Sequence, residues 1–196
     1  MQRIIIFLLL FTFSCQSSKA QEVPLSEGAS ILFKNVKSMT SNAEKNEIFD
    51  LTEFQLTTDK AQFIFSNNES LSDFPFSVSV FPLDLDNDGV EEIGIVYGNI
   101  MTSGNAGNSS MLFIKKDLDN YTSHLGFPGF LTFLPRPDND FPDVLIGGSG
   151  FKFPVWRWDG VEFSHHKTIS NDELNNLDSI HMTEASKQYT SQLKDD

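Results

Sequence analysis

The sequence predicts a mostly β, antiparallel single domain, with α+β character only at its margins. Three observations carry the prediction. Segment 76–81 (Phe76-Ser77-Val78-Ser79-Val80-Phe81) alternates with period two, and 93–97 is a short β-branched run. Turn residues punctuate such runs, as in Asp88-Gly89, Asp119-Asn120 and Asp159-Gly160. The chain has 196 residues with 39% hydrophobic content and 19 Phe, enough for one domain with a real core.

Within that frame one stretch stands out, Asp84-Leu85-Asp86-Asn87-Asp88-Gly89-Val90-Glu91-Glu92. Carboxylates at loop positions 1, 3 and 5 offer side-chain oxygens at the spacing a hard cation uses. Gly89 at position 6 permits a sharp turn, Val90 can offer its carbonyl, and Glu92 adds a further carboxylate. The set Asp84, Asp86, Asp88, Val90 and Glu92 reads as a calcium site. Magnesium keeps its waters and suits such a cage less well. The alternative is an acidic hairpin turn that holds no metal. The loop is not an EF-hand, because Ile95 stands where the bidentate Glu belongs and the flanks read as strands rather than helices.

The remaining elements follow in order. Arg3 and the apolar stretch 4–13 form a secretion signal too short to span a bilayer. Two endings fit it. Phe11-Thr12-Phe13-Ser14-Cys15 makes Cys15 a lipidation site after a signal of residues 1–14. Ser18-Lys19-Ala20 permits ordinary cleavage after Ala20 instead. Cys15 is the only cysteine, so no disulfide can staple the domain and a metal could take that role. Residues 15–30 read as a tether, 31–170 as the β-rich domain, and 171–196 as a polar tail or weak helix. Residues 31–36 suit a short strand or a helix start.

Ser41-Asn42-Ala43-Glu44 is a capping box opening an N-terminal helix that runs to about Leu51 and buries Ile48, Phe49 and Leu51. Strands are expected at 61–65, 111–115, 121–124 and 130–134. Residues 98–110, with Ser103-Gly104-Asn105-Ala106-Gly107-Asn108, read as a long connection rather than a phosphate cradle, since no Lys-Ser/Thr follows. Residues 137–148 look like a decayed copy of the first loop, with Pro142 at the place of the key Gly. Segment 154–163 is a hairpin turning at Asp159-Gly160. Its Trp156 and Trp158 share one face, as core packing or, with Asn105, as a ligand surface. Leu177, Ile180, Tyr189 and Leu193 could line one face of a C-terminal helix.

The Asp84–Glu92 loop between two strands resembles the calcium hairpin of FG-GAP and integrin-α-like repeats. The order of several segments resembles a family of uncharacterised exported bacterial proteins. The matching pieces are Glu44-Lys45-Asn46-Glu47-Ile48-Phe49, Asp84 to Glu92, Gly104-Asn105-Ala106-Gly107, Leu125-Gly126-Phe127-Pro128, and Gly147-Gly148-Ser149-Gly150-Phe151 running to Gly160. The signal ending Phe-Ser-Cys looks like that of Bacteroidetes lipoproteins. The resemblance implies a compact β-rich domain with a calcium-type loop, and it implies no activity.

Function classes narrow accordingly. A net charge of −13 without a Lys/Arg cluster argues against nucleic acid and against electrostatic attachment to anionic lipid. The four histidines, His124, His165, His166 and His181, form no zinc motif. Gly147-Gly148-Ser149-Gly150 falls short of a nucleophile elbow, because Phe151 takes the place of its last Gly. The expected role is that of a non-catalytic, calcium-stabilised extracytoplasmic lipoprotein domain, either binding or structural in the envelope, held at the membrane by its lipid, with a protein or glycan as the candidate partner. The alternative is a hydrolase or glycan-processing accessory with its site near the Trp156/Trp158 hairpin and the Gly104 loop.

Overall fold

The computed structural model describes residues 23–68, 70–115, 120–137, 140–148, 150 and 152–194. The signal segment, Cys15 and part of the second aspartate-rich turn lie outside those residues. The protein is mostly β. Helices α1 (Glu27–Leu32) and α2 (Asn42–Thr52) precede a small hairpin of β1 (Phe54–Leu56) and β2 (Phe63–Phe65). Strands β3 (Val78–Leu83), β4 (Glu92–Tyr97), β5 (Ser109–Ile114) and β6 (Thr122–Pro128) form an antiparallel sheet in that order. The short helix α3 (Ile100–Ser103) and a 3-10 turn over Gly104–Ala106 fill the β4–β5 connection.

A second antiparallel sheet holds β7 (Phe130–Leu134), β8 (Asp143–Gly147), β9 (Lys152–Trp158) and β10 (Phe163–Ser170). Its other edge is β11 (Ile180–His181), beside β7. Helix α4 (Asn171–Leu174) precedes β11, and helix α5 (Met182–Thr190) follows it.

Period-two alternation sorts side chains onto faces, and it makes the four-stranded sheet a shared wall. On β5, Leu112 and Ile114 join a core with Leu131 and Phe133 of β7, Val144 and Ile146 of β8, and Trp158 of β9. Between them Phe113 points the other way, into a core with Ile93, Ile95 and Tyr97 of β4 and Ile48 of α2. That second core explains much of the phenylalanine content. Phe54, Phe65, Phe76 and Tyr97 meet with ring centroids 5.0–5.9 Å apart, mostly tilted or edge-on as ring quadrupoles prefer. The two central strands of the wall, β4 and β5, are therefore buried on both faces. β4 is buried at every position except Val96, which is half-buried.

Helix α2 keeps the predicted capping box, with the Ser41 hydroxyl accepting from the Glu44 amide and the Glu44 carboxylate accepting from the Ser41 amide at 2.7 Å. Three expectations need correction. Leu51 turns outward at 36% exposure, because the helix buries a narrower stripe through Ile48. Residues 27–30 are not tether. Ser26 caps α1 there, and Gly28 and Ala29 are buried, Gly28 lying under the Phe49 ring. The segment after residue 170 takes the helical one of its two expected forms, as α5, and it is packed rather than loose. Ile180 pairs in β11 with Phe133, and the fully buried Met182 packs its sulfur over Gly94, where a β-carbon would come within 2.3 Å. Leu177 is exposed, so the expected Leu177–Ile180–Tyr189–Leu193 helical face does not form.

Two outcomes test this packing. Gly129 sits at φ +126° with the Gly147 carbonyl oxygen 2.1 Å from where a β-carbon would lie. Gly129→Ala therefore combines left-handed strain with a backbone clash and should cost about 2–4 kcal/mol in urea unfolding. The second concerns Lys115, whose Nζ lies 2.6 Å from Glu44 Oε1 with both side chains largely covered. Burial pushes the Glu44 carboxyl up, but hydrogen bonds from Lys115 and Ser41 outweigh it and hold the group below the usual glutamate range. The folded state thus binds this proton more weakly than the unfolded one. The resulting stability is present above about pH 4.3 and is lost as pH falls through the lower folded value. Lys115→Met should lower stability by about 1 kcal/mol at pH 7, and the difference should shrink in unfolding measured near pH 3.

Candidate metal centre

Register fixes the acidic loop. Leu83 of β3 pairs with Glu92 of β4, so residues 84–91 close the hairpin. Asn87 (φ 60°) and Gly89 (φ 84°) take left-handed backbone, and the turn reverses between them. Nothing lies within 4 Å of where a Gly89 β-carbon would sit, so its glycine answers to backbone angle and not to crowding. Short side chains brace the turn: Asp88 Oδ1 accepts from the Val90 amide at 2.7 Å, and Asp86 Oδ1 from the Asp88 amide at 3.3 Å.

This folding brings Asp84, Asp86 and Asp88 together, each offering an oxygen within 4.8 Å of the others. Asp84 and Asp86 are half-buried and Asp88 is exposed. The cluster could bind a metal ion. Glu92 approaches from the strand side, 1% exposed, its Oε2 accepting from the Leu85 amide at 2.6 Å. Burial raises the Glu92 carboxyl well above the usual range, and the charges of Asp86, Asp84 and Asp88 add to it. Asp84 is raised too, by burial first and by Asp88 among its neighbours. Its Oδ1 is buried without a hydrogen-bond partner. A buried, unpartnered carboxylate oxygen costs about 1–3 kcal/mol or more, and carboxylates about 4–5 Å apart repel by roughly 3–4 kcal/mol per pair at an effective dielectric near 20. A cation held by these oxygens would reverse both penalties. The donors are all oxygen, which suits a hard ion.

Sequence reasoning missed the role of Glu91. It is adjacent to Glu92 and so points to the opposite face. There it is buried and fully engaged, accepting from Ser38 Oγ at 2.6 Å, the Met39 amide at 2.9 Å and the Thr40 amide at 3.1 Å. It ties the segment before α2 to the acidic loop. The partners lie some fifty residues upstream, which no local pattern reveals. A cavity of about 360 Å³ also opens beside the loop, between Asp84 and Asn87 on one side and Arg136, Asp140, Gln188 and Tyr189 on the other.

The two tryptophans part company. Trp158 is 5% exposed and sits edge-on among Phe141, Phe163 and the His124 ring, so it is core and not ligand surface. Trp156 is half-buried and lines a groove together with Asn105. His124 bonds Thr122 at 2.9 Å, and burial lowers its basicity; His165 stands edge-on to Trp156. The His165–Lys167 step is a bulge on the sheet-edge strand β10. Among the described residues no helix is long and apolar enough to cross a membrane. Comparison of the chain with protein-family models, with curated proteins and with solved structures finds no match, so the geometry above is what a functional reading rests on.

Proposed function

We propose that this protein is a calcium-stabilised, exported binding module without a catalytic step of its own, tethered at the cell envelope through lipid on Cys15. The observation that carries the reading is the convergence of Asp84, Asp86 and Asp88 beside the buried Glu92. Calcium is preferred over zinc because the cluster offers carboxylates and no imidazole or thiolate, and over magnesium because a cage of several carboxylates suits an ion that sheds its waters readily. The Val90 carbonyl is the remaining ligand in this reading. The FG-GAP-like spacing and the lipoprotein-like signal support it from the sequence side.

A metal here ties β3 to β4, the strand that both cores share, so it acts on the stability of the whole domain. A ligand that binds only the folded state raises the unfolding temperature, by about 2.7 kcal/mol of stability at a hundredfold excess over its dissociation constant. Thermal unfolding in millimolar calcium should therefore occur several degrees above that in EDTA. The double variant Asp86→Ala/Asp88→Ala should lose the difference. An equal melting temperature in both conditions would reduce the loop to an acidic turn.

A further inference from the structure

We propose that the groove around Phe127 and Trp156 binds a saccharide ring. The assignment rests on the binding-module reading above, not on the metal. The end of β6, the start of β9 and the 3-10 turn enclose a space of about 500 Å³, inside the roughly 300–1,000 Å³ range of small-molecule sites. Phe127 lies over Trp156 with ring centroids 5.0 Å apart and 25° between planes. It is 40% exposed, so the stack presents one flat aromatic surface to solvent while Trp156 supports it from beneath. Among the described residues no acceptor meets the buried Trp156 indole nitrogen.

The backbone at this place is strained, at a residue whose own side chain is buried in the core. Leu125 has φ 57°, an outlier for a bulky side chain, two residues before Phe127. The β5–β6 register slips at Ser110–Leu112, opposite the same point. Such a residue costs about 1–3 kcal/mol and marks a segment held for its geometry. A bulge of this kind re-aims side chains beyond it, and the side chain beyond it here is Phe127.

Chemistry selects the ligand class. The polar side chains that reach the groove's surface are Asn105 and Lys152, since Ser103 is buried and bonded to Ser109, and among the described residues no carboxylate lines it, although the chain has 27 acidic residues against 14 basic ones. A neutral ligand with one apolar face and a rim of hydroxyls matches a ring surface flanked by an amide and an ammonium. That is the description of a sugar. A proline-rich peptide also seeks aromatic grooves, but it brings no hydroxyl rim for the amide and the ammonium to meet.

Titration calorimetry with cellopentaose, maltoheptaose and chitopentaose, each in calcium and in EDTA, tests the assignment, with a proline decapeptide as competitor. Saturable binding of at least one saccharide is expected. Phe127→Ala should weaken it by about tenfold or more, and Phe127→Tyr should retain it. Both variants should keep the parent's melting temperature, since Phe127 lies at the surface. Binding with no calcium effect on unfolding would leave the saccharide site standing and remove the metal reading. Three results overturn the proposal: no saturable binding of any saccharide up to about 10 mM, binding that Phe127→Ala leaves unchanged, or binding of the decapeptide in place of the sugars.

Discussion

The Leu83–Glu92 pair is the constraint on which the rest of this structure turns. Glu92 is the first residue of β4, and its carboxylate is buried against the amide of Leu85. The residues that follow divide between two cores. Ile93, Ile95 and Tyr97 face the phenylalanine cluster, while Gly94 and Val96 face α5 and the five-stranded sheet. A slip of one residue would exchange Glu91 for Glu92 and turn every one of these side chains over. The anionic turn and the apolar interior are therefore one problem. The register that packs the interior also gathers the carboxylates, and their mutual repulsion is a cost the interior must absorb.

The two ends of the molecule's chemistry divide the labour by charge. The β3–β4 turn concentrates oxygen donors, and among the described residues no carboxylate lines the Phe127–Trp156 groove. Each also departs from regular backbone. Left-handed Asn87 and Gly89 make the turn, and left-handed Leu125 precedes the groove. Asn and Gly adopt that conformation at little cost. Leucine does not, so the groove carries the greater strain.

Local chemistry was legible in the sequence, and distant pairing was not. The Asp84–Asp88 spacing, the Ser41–Glu44 capping box and the Asp159-Gly160 turn each depend on residues within a few positions, and all form as their patterns imply. The apolar runs of β4 and β5 were legible as strands, and their burial on both faces follows only from the sheet and helices packed on either side. What escaped was set by contacts across long separations. Glu91 reaches residues 38–40, and Met182 fills the space over Gly94. α1 forms in a stretch read as tether because the Phe49 ring covers Gly28. The two tryptophans differ in exposure because Phe141 and Phe163 close over Trp158, while Trp156 stacks with Phe127 and stands edge-on to His165 at the groove. Alternation gives the face, and only the opposite sheet decides which part of that face is covered.

The packing of Met182 over Gly94 has a bearing on how the chain matures. Helix α5 and β11 are made after everything they cover. Until residues 180–190 emerge, the central sheet lacks its lid at Gly94, and β7 has an open edge that β11 later occupies. An unfinished chain thus shows both an apolar face and an unpaired strand, the two features that recruit chaperones or other copies of the same chain. Closure waits for residues 180–190, so the early strands alone do not complete the fold.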